Sequence, residues 1–277
     1  MKNNLKIIDL FCGCGGLSNG LEQAGFNAIA GFDNDINCLT SFSFNHKNAQ
    51  TFLFDLGDIY NSNHKKIDFE RNEILREANV KISEPGDLRS IIPDEDIFLL
   101  CGGPPCQGFS SVNAKTRFVD NPKNTLFKSY IEFIKAFQPE FILLENVMGL
   151  KSLEGGKVLY DILNTFKNIG YNSKCFDANA ADYGVPQLRK RVFIIGSKNQ
   201  NIDLSFPNPT HRESFQAELF GSPLKQWVTT GEAIKDIPSD NPNHIKYEPA
   251  DIVKERMSKI KPGENKKVLS NKLQPNT

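Results

Sequence analysis

Cys106 stands directly behind Gly103-Pro104-Pro105 and ahead of Gln107-Gly108-Phe109-Ser110-Ser111. Two prolines fix φ and stiffen the chain before the cysteine. A thiol held rigidly beyond a strand end is well presented as a nucleophile. From this run alone, a Pro-rich turn with an incidental buried cysteine reads equally well, because free Cys is common core material. Glu145, in Glu145-Asn146-Val147, follows the apolar run Phe141–Leu144. It is a strand-end carboxylate, suited to general acid work or simply solvated. The desolvating run before it favours the uncharged acid. Gln187-x-Arg189-x-Arg191 sets two guanidiniums two residues apart, which by type alone fit a surface as readily as a ligand. Asp9-Leu10-Phe11-Cys12-Gly13-Cys14-Gly15-Gly16 is a Gly-rich turn, and Asp33-Asn34-Asp35 is an acidic tip further on.

The elements that must position these groups follow from hydrophobic patterning. Lys6–Phe11 reads as a strand that runs into the Gly-rich turn. A helical pattern from Leu17 to Ala24 ends at Gly25, and a second strand, Asn27–Phe32, ends at the acidic tip. Strand, Gly turn, helix, strand and acidic tip make a nucleotide-cofactor βαβ unit. Glycines let the backbone approach a ligand, and the carboxylate accepts hydrogen bonds from ribose hydroxyls. Position 18 is Ser, so the dinucleotide glycine fingerprint is incomplete. A nucleoside cofactor without a pyrophosphate therefore competes with NAD, and a turn without a ligand stays open.

Further along, a helix is expected over Ile36–Phe44, and residues 55–85 read as a polar insertion on the sheet edge. Phe69–Val80 is predicted as one exposed helix within it. Asp96–Leu100 is a strand leading to the cysteine loop. Residues 113–125, with Lys115, Arg117 and Lys123, form a polar loop, and helical spacing from Leu126 stops before Pro139. Phe141–Leu144, the stretch through Cys175-Phe176, and Val192–Gly196 are strands, with a helix over Leu153–Phe166. The alternation implies an α/β protein with a mainly parallel sheet and its functional loops at one edge. Residues 1–200 make the catalytic domain, and the Pro-punctuated stretch 201–277 reads as a connecting segment.

Composition narrows the classes. The 33 basic and 33 acidic side chains balance, so any nucleic-acid surface must be local. Six scattered cysteines in 277 residues do not resemble a secreted disulfide scaffold and suit a reduced, cytoplasmic setting. There is no Cys-x-x-Cys pair, so no metal is expected. No signal core or apolar run of membrane-spanning length occurs.

Four of these strings, in this order, resemble the DNA (cytosine-5)-methyltransferase family: the Gly-rich turn, the Cys106 loop, Glu145-Asn146-Val147 and Gln187-x-Arg189-x-Arg191. Asp182-Tyr183-Gly184-Val185-Pro186 fits as well. The match is close over roughly residues 5–200 and looser over 201–265. The resemblance implies a Rossmann-like fold that binds S-adenosylmethionine (SAM), with helices on both faces of the sheet. It implies a bacterial restriction-modification enzyme that yields S-adenosylhomocysteine.

The implied chemistry starts with Cys106 adding to C6 of cytosine, which makes C5 nucleophilic toward the methyl donor. Glu145 serves N3, Arg191 holds O2, and Arg189 contacts phosphate or braces the loop. The Pro104 carbonyl reads the exocyclic amine, with Gln107, Ser110 and Ser111 on the substrate side. Because a duplex buries C5, the base must be flipped out, and residues 107–125 close behind it. For the cofactor, the resemblance implies Asp9, Phe11, Gly13, Cys14, Gly15, Gly16, Asp33, Asn34, Pro105 and Leu126. Asp87 and Leu88 join them, with Asp87 at the adenine amine. Asp87 is preferred to the similar Gly57-Asp58-Ile59 because it lies just ahead of the cysteine loop.

Duplex DNA is the implied partner. The family's target-recognition region and last two motifs are not recognisable here, so the rest of a longer chain or a second polypeptide would supply them. A tRNA cytosine-5 methyltransferase and a noncatalytic SAM-binding subunit are the competing readings. Amino-group methyltransferases carry an aromatic where Cys106 stands, which argues against them.

Overall fold

Lys6–Leu10 forms the first strand (β1). Ile7 and Ile8 point to opposite faces because side chains alternate along a strand. Ile8 joins the larger core with Leu10, Phe32, Leu100 and Ile142, whereas Ile7 packs with Ala28, Leu99 and Cys101. Two cores require helices on both sides of the sheet. The computed structural model describes residues 5–70, 73–93, 95–105, 125–213, 224–238, 248–261, 264, 266–270 and 273–274.

In chain order the elements after β1 are α1 (Gly16–Gln23), β2 (Asn27–Asp33), α2 (Ile36–Asn45), β3 (Gln50–Leu53), β4 (His64–Glu70) and β5 (Glu73–Val80). Then come α3 (Pro85–Ser90), β6 (Leu99–Gly102), α4 (Thr125–Phe137), β7 (Phe141–Val147), α5 (Lys157–Asn168), β8 (Asn172–Asn179) and β9 (Lys190–Ser197). The strands order as β5-β4-β3-β2-β1-β6-β7-β9-β8. The central five, β3 to β7 in that order, are parallel, and antiparallel pairs extend both edges. This is the expected Rossmann-like α/β fold. Strand order reverses between β1 and β6, and such a reversal opens a crevice at the carboxyl ends of the strands.

Leu17 and Leu21 of α1 pack on the smaller core, and α4 buries Phe127, Tyr130, Ile131, Phe133, Ile134 and Phe137 on the larger. Each such side chain contributes about 1.5–3 kcal/mol by leaving water. The predicted helix over Phe69–Val80 does not form. Its described residues belong to the antiparallel strands β4 and β5, with cross-strand ion pairs Lys65–Glu77 and Asp68–Arg76. The reason is tertiary: β3 offers an open hydrogen-bonding edge, and pairing Thr51 with Ile67 outweighs a local helical preference. The insertion does lie at the sheet edge.

Beyond β9 the chain stays with this first unit as far as Thr229. Phe206 stacks on Phe176 and packs against Phe193, with centroids 5.6 and 5.4 Å apart. The Trp227 indole N–H donates to Asp182 Oδ1 at 2.9 Å. Two short strands, β10 (His211–Arg212) and β11 (Lys225–Gln226), pair in parallel. Thr230–Thr277 forms a second unit with α6 (Thr230–Ile234) and α7 (Asp251–Ser258), whose Arg256 donates to the Leu273 carbonyl at 2.6 Å. Among the described residues no helix is long and apolar enough to cross a membrane.

Candidate active site

The Gly-rich turn begins with backbone bent out of the ordinary region: Phe11, a non-glycine, has φ 58°. Such strain persists where surrounding structure enforces it. Here it turns the chain off β1 and sets Phe11 in the wall of a cavity of about 260 Å³. Asp33 and Asn34, at the tip of β2, face the same cavity, as do Gly103 and Pro105 after β6 and Leu126 of α4. Both Asp33 oxygens are already engaged: Oδ2 accepts from the Gly13 N–H at 2.9 Å, and Oδ1 from the Asp35 N–H at 3.0 Å. A carboxylate has about four lone-pair sites, so Asp33 ties the two loops together and retains capacity for ligand hydroxyls.

Phe11 and Gly103 also line a second cavity of about 380 Å³, together with Cys12, Gly16, Glu145, Arg189 and Phe193. The antiparallel register explains the grouping. Glu145 of β7 lies opposite Phe193 of β9, and Val147 lies opposite Arg191. Directly opposed residues point to the same face, and so do residues two apart. Glu145, Phe193 and Arg191 therefore share one face, while Leu144 and Ile194 fill the core behind them. Arg191 Nε is 3.0 Å from Glu145 Oε1, and Arg189 Nη2 is 3.9 Å away. Glu145 opens onto the second cavity. Its side chain is 26% exposed and faces two guanidiniums.

Gly103 has a specific reason to be glycine. A Cβ there would sit 3.1 Å from Glu145 Oε2, tighter than ordinary contact. The next residue, Pro104, is buried, and its carbonyl accepts from Asn146 Nδ2 at 2.8 Å. Asn146 thereby fixes the strand end that leads to the cysteine loop, and the carbonyl keeps one further lone pair. Cys106, Gln107, Ser110 and Ser111 lie outside the described residues, as does the loop over 107–124. Cys12 and Cys101 are buried, and burial pushes both thiols well up, which makes them poor nucleophiles. Among the described residues no cluster of metal-ligating side chains occurs.

Asp87 and Leu88 line neither of these two cavities. The Asp87 carboxylate accepts from the backbone N–H groups of Ser83 and Glu84 and caps α3, and Leu88 is fully buried in the core. Proximity in sequence to the cysteine loop is misleading, because α3 packs on α4 in the helical layer. The cavity wall is completed instead by Phe54, Leu56 and Gly57, just after β3.

Asp9 sits beneath the turn, 1% exposed, with Ser18 Oγ donating to its Oδ2 at 2.6 Å. It touches the second cavity, but its carboxyl serves to dock α1. Desolvation raises its pKa from 3.8 to about 6, against the lowering effect of Ser18. An acid raised in the folded state stabilises the fold at low pH, and that stability is lost as pH climbs through the folded value. The difference is worth about 3 kcal/mol, lost between about pH 4 and 7. In Asp9→Asn the amide still accepts from Ser18 but cannot ionise. The unfolding free energy of the native chain, measured relative to this variant in urea, is expected to fall by that amount over the interval. A flat difference would disprove the account.

A Gly-rich turn after β1, an acidic tip after β2, and the Gly103-Pro104-Pro105 strand end after β6, all opening on one crevice, define the class: a SAM-dependent methyltransferase fold. A candidate DNA modification methyltransferase encoded within an E. coli prophage shares it, with a TM-score of 0.60 and 23% identity over 94% of this chain and 66% of that one. The model of the C-5 cytosine-specific DNA methylase family matches residues 5–274, and the chain belongs to that family. The Type II methyltransferase M1.HphI of Haemophilus parahaemolyticus is 31% identical over 98% of this chain and 65% of its own length. The Type II methyltransferase M.AquIA of Picosynechococcus sp. is 32% identical over 86% of this chain and 90% of its own. The chain spans about half to two thirds of the length of the first relatives it matches, 48% in the case of M.DdeI.

Proposed function

We propose that this chain carries the cofactor-binding and catalytic part of a restriction-modification type DNA (cytosine-5) methyltransferase, acting in the cytoplasm on a cytosine flipped out of duplex DNA. The observation that carries the reading is the Glu145–Arg191 pair, 3.0 Å apart, beside Gly103-Pro104-Pro105 and across a shared cavity from the Gly-rich turn. SAM, when bound, supplies an electrophilic methyl group. The first cavity fits its adenosine: Phe11 offers an aromatic face, Asp33 a carboxylate for ribose hydroxyls, and Phe54 and Leu56 an apolar wall.

In this reading Cys106 forms a bond to C6 of the cytosine. Glu145 gives a proton or hydrogen bond to N3, so that electron density pushed into the ring reaches C5. Arg191 turns part of its guanidinium to O2, and its planar fork lets it keep Glu145 at the same time. C5 then takes the methyl group from the donor sulfur, leaving S-adenosylhomocysteine. The C5 proton passes to water, the C6–sulfur bond breaks to return the Cys106 thiolate, and the ring is restored. Target recognition falls to the remainder of a longer chain or to a second polypeptide. The test is transfer of labelled methyl from SAM to duplex DNA, by this chain alone and mixed with the C-terminal region of a relative. 5-Methylcytosine in the DNA is the expected product. Methylation of tRNA instead would favour the tRNA enzyme, and product on the exocyclic nitrogen would refute the mechanism.

A further inference from the structure

His46 is a buried group that the proposed chemistry leaves unused. It follows α2, its side chain is 0% exposed, and its ring lies against Phe42 with centroids 4.5 Å apart. Both ring nitrogens face acceptors: Nδ1 is 2.8 Å from Glu22 Oε2 of α1, and Nε2 is 3.1 Å from the Gly15 carbonyl. A carbonyl only accepts, so Nε2 bears a proton. A hydrogen bond between Nδ1 and the carboxyl group then requires a second one, on the ring or on Glu22. The pair thus holds one proton more than a neutral imidazole and a carboxylate bring to it.

Asn45, the residue before, donates from Nδ2 to the Cys14 carbonyl at 2.8 Å. Two consecutive side chains at the end of α2 therefore hold two consecutive carbonyls of the Gly-rich turn. A Cβ on Gly15 would lie 2.1 Å from His46 Nε2, so the ring fills the space a side chain would need. Gly15 is also left-handed, with φ 86°. The Gly15 carbonyl also accepts from the Asn19 N–H of α1 at 2.8 Å, so His46 adds a second, lateral hold on it. Because a trans peptide is planar, fixing this carbonyl turns the Gly16 N–H the opposite way, and Gly16 lines the second cavity.

We propose that Glu22 and His46 are positioning residues: with one added proton they fix the shape of the Gly-rich turn and so tune its affinity for cofactor. The affinity clause rests on the cofactor reading given above. The test combines ¹⁵N NMR of the histidine rings with calorimetry of S-adenosylhomocysteine binding to the full chain.

Both hydrogen bonds of His46 are expected to be visible in the ring spectra, with a proton on Nε2. Glu22→Ala is expected to weaken binding about fivefold, the scale of one net hydrogen bond. Glu22→Gln restores binding to within about twofold, because its amide N–H donates to Nδ1 while Nε2–H still serves Gly15. His46→Phe fills the same space without a donor and weakens binding at least as much as Glu22→Ala. Unchanged binding in Glu22→Ala, or a His46 with no proton on Nε2, overturns the proposal. If the native chain binds no S-adenosylhomocysteine, the cofactor reading fails and the Gly15 and Gly16 amide signals decide. Signals shifted by Glu22→Ala and restored by Glu22→Gln sustain the positioning role, and unshifted signals end it.

Discussion

Cys106→Ala is expected to abolish methyl transfer, a loss of about 10⁴-fold or more, the scale seen when a covalent nucleophile is removed. Cofactor affinity should survive, because the cavity walls are built from Phe11, Asp33, Leu56 and Leu126. Cys12 and Cys101 are poorly suited to substitute, since both are buried and burial pushes their thiols well up. The comparison belongs in whichever assembly shows transfer with the native residue. A second readout uses duplex DNA carrying 5-fluorocytosine, which cannot lose its C5 substituent. The native protein should remain covalently attached after denaturation, and the variant should not. Transfer by Cys106→Ala at near-native rates would remove the thiol from the mechanism.

Glu145→Gln is expected to slow transfer by about 10²–10⁴-fold, the usual contribution of a positioned acid or base. The substitution is close to isosteric, and the amide oxygen can still accept from Arg191, so the β7–β9 face should keep its geometry. What it loses is a transferable proton at N3. Single-turnover rates at saturating cofactor isolate the chemical step. A rate within about tenfold of native would mean that polarisation at N3 comes from elsewhere. Because the space beside Glu145 Oε2 is tight enough that even a Cβ on Gly103 would crowd it, a bulkier replacement at 145 would confound the result by pressing on Gly103.

The residues of the site that the sequence specifies are those whose role is local. A strand running into Gly13-Cys14-Gly15-Gly16, an acid at the next strand tip, a cysteine behind two prolines and a pair of arginines two apart all depend on short-range geometry. Strand and helix periodicity place them at one sheet edge without knowledge of any contact. Tertiary structure decided what depends on strand order.

Phe54 and Leu56 enter the first cavity because β3 lies beside β2 in the sheet, not because of any pattern in residues 50–57. Asp87 is near the cysteine loop along the chain, but its carboxylate is taken up in capping α3. The antiparallel β4–β5 pair exists because a strand edge was open to receive it. Glu145 became an ion-paired carboxyl only once antiparallel β9 laid Arg191 beside it. His46 and Glu22, 24 residues apart, meet only because α1 and α2 pack on the same face of the sheet. Local sequence can specify a residue's chemistry and its strand end, but partners drawn from distant segments are fixed by the packing of the whole sheet.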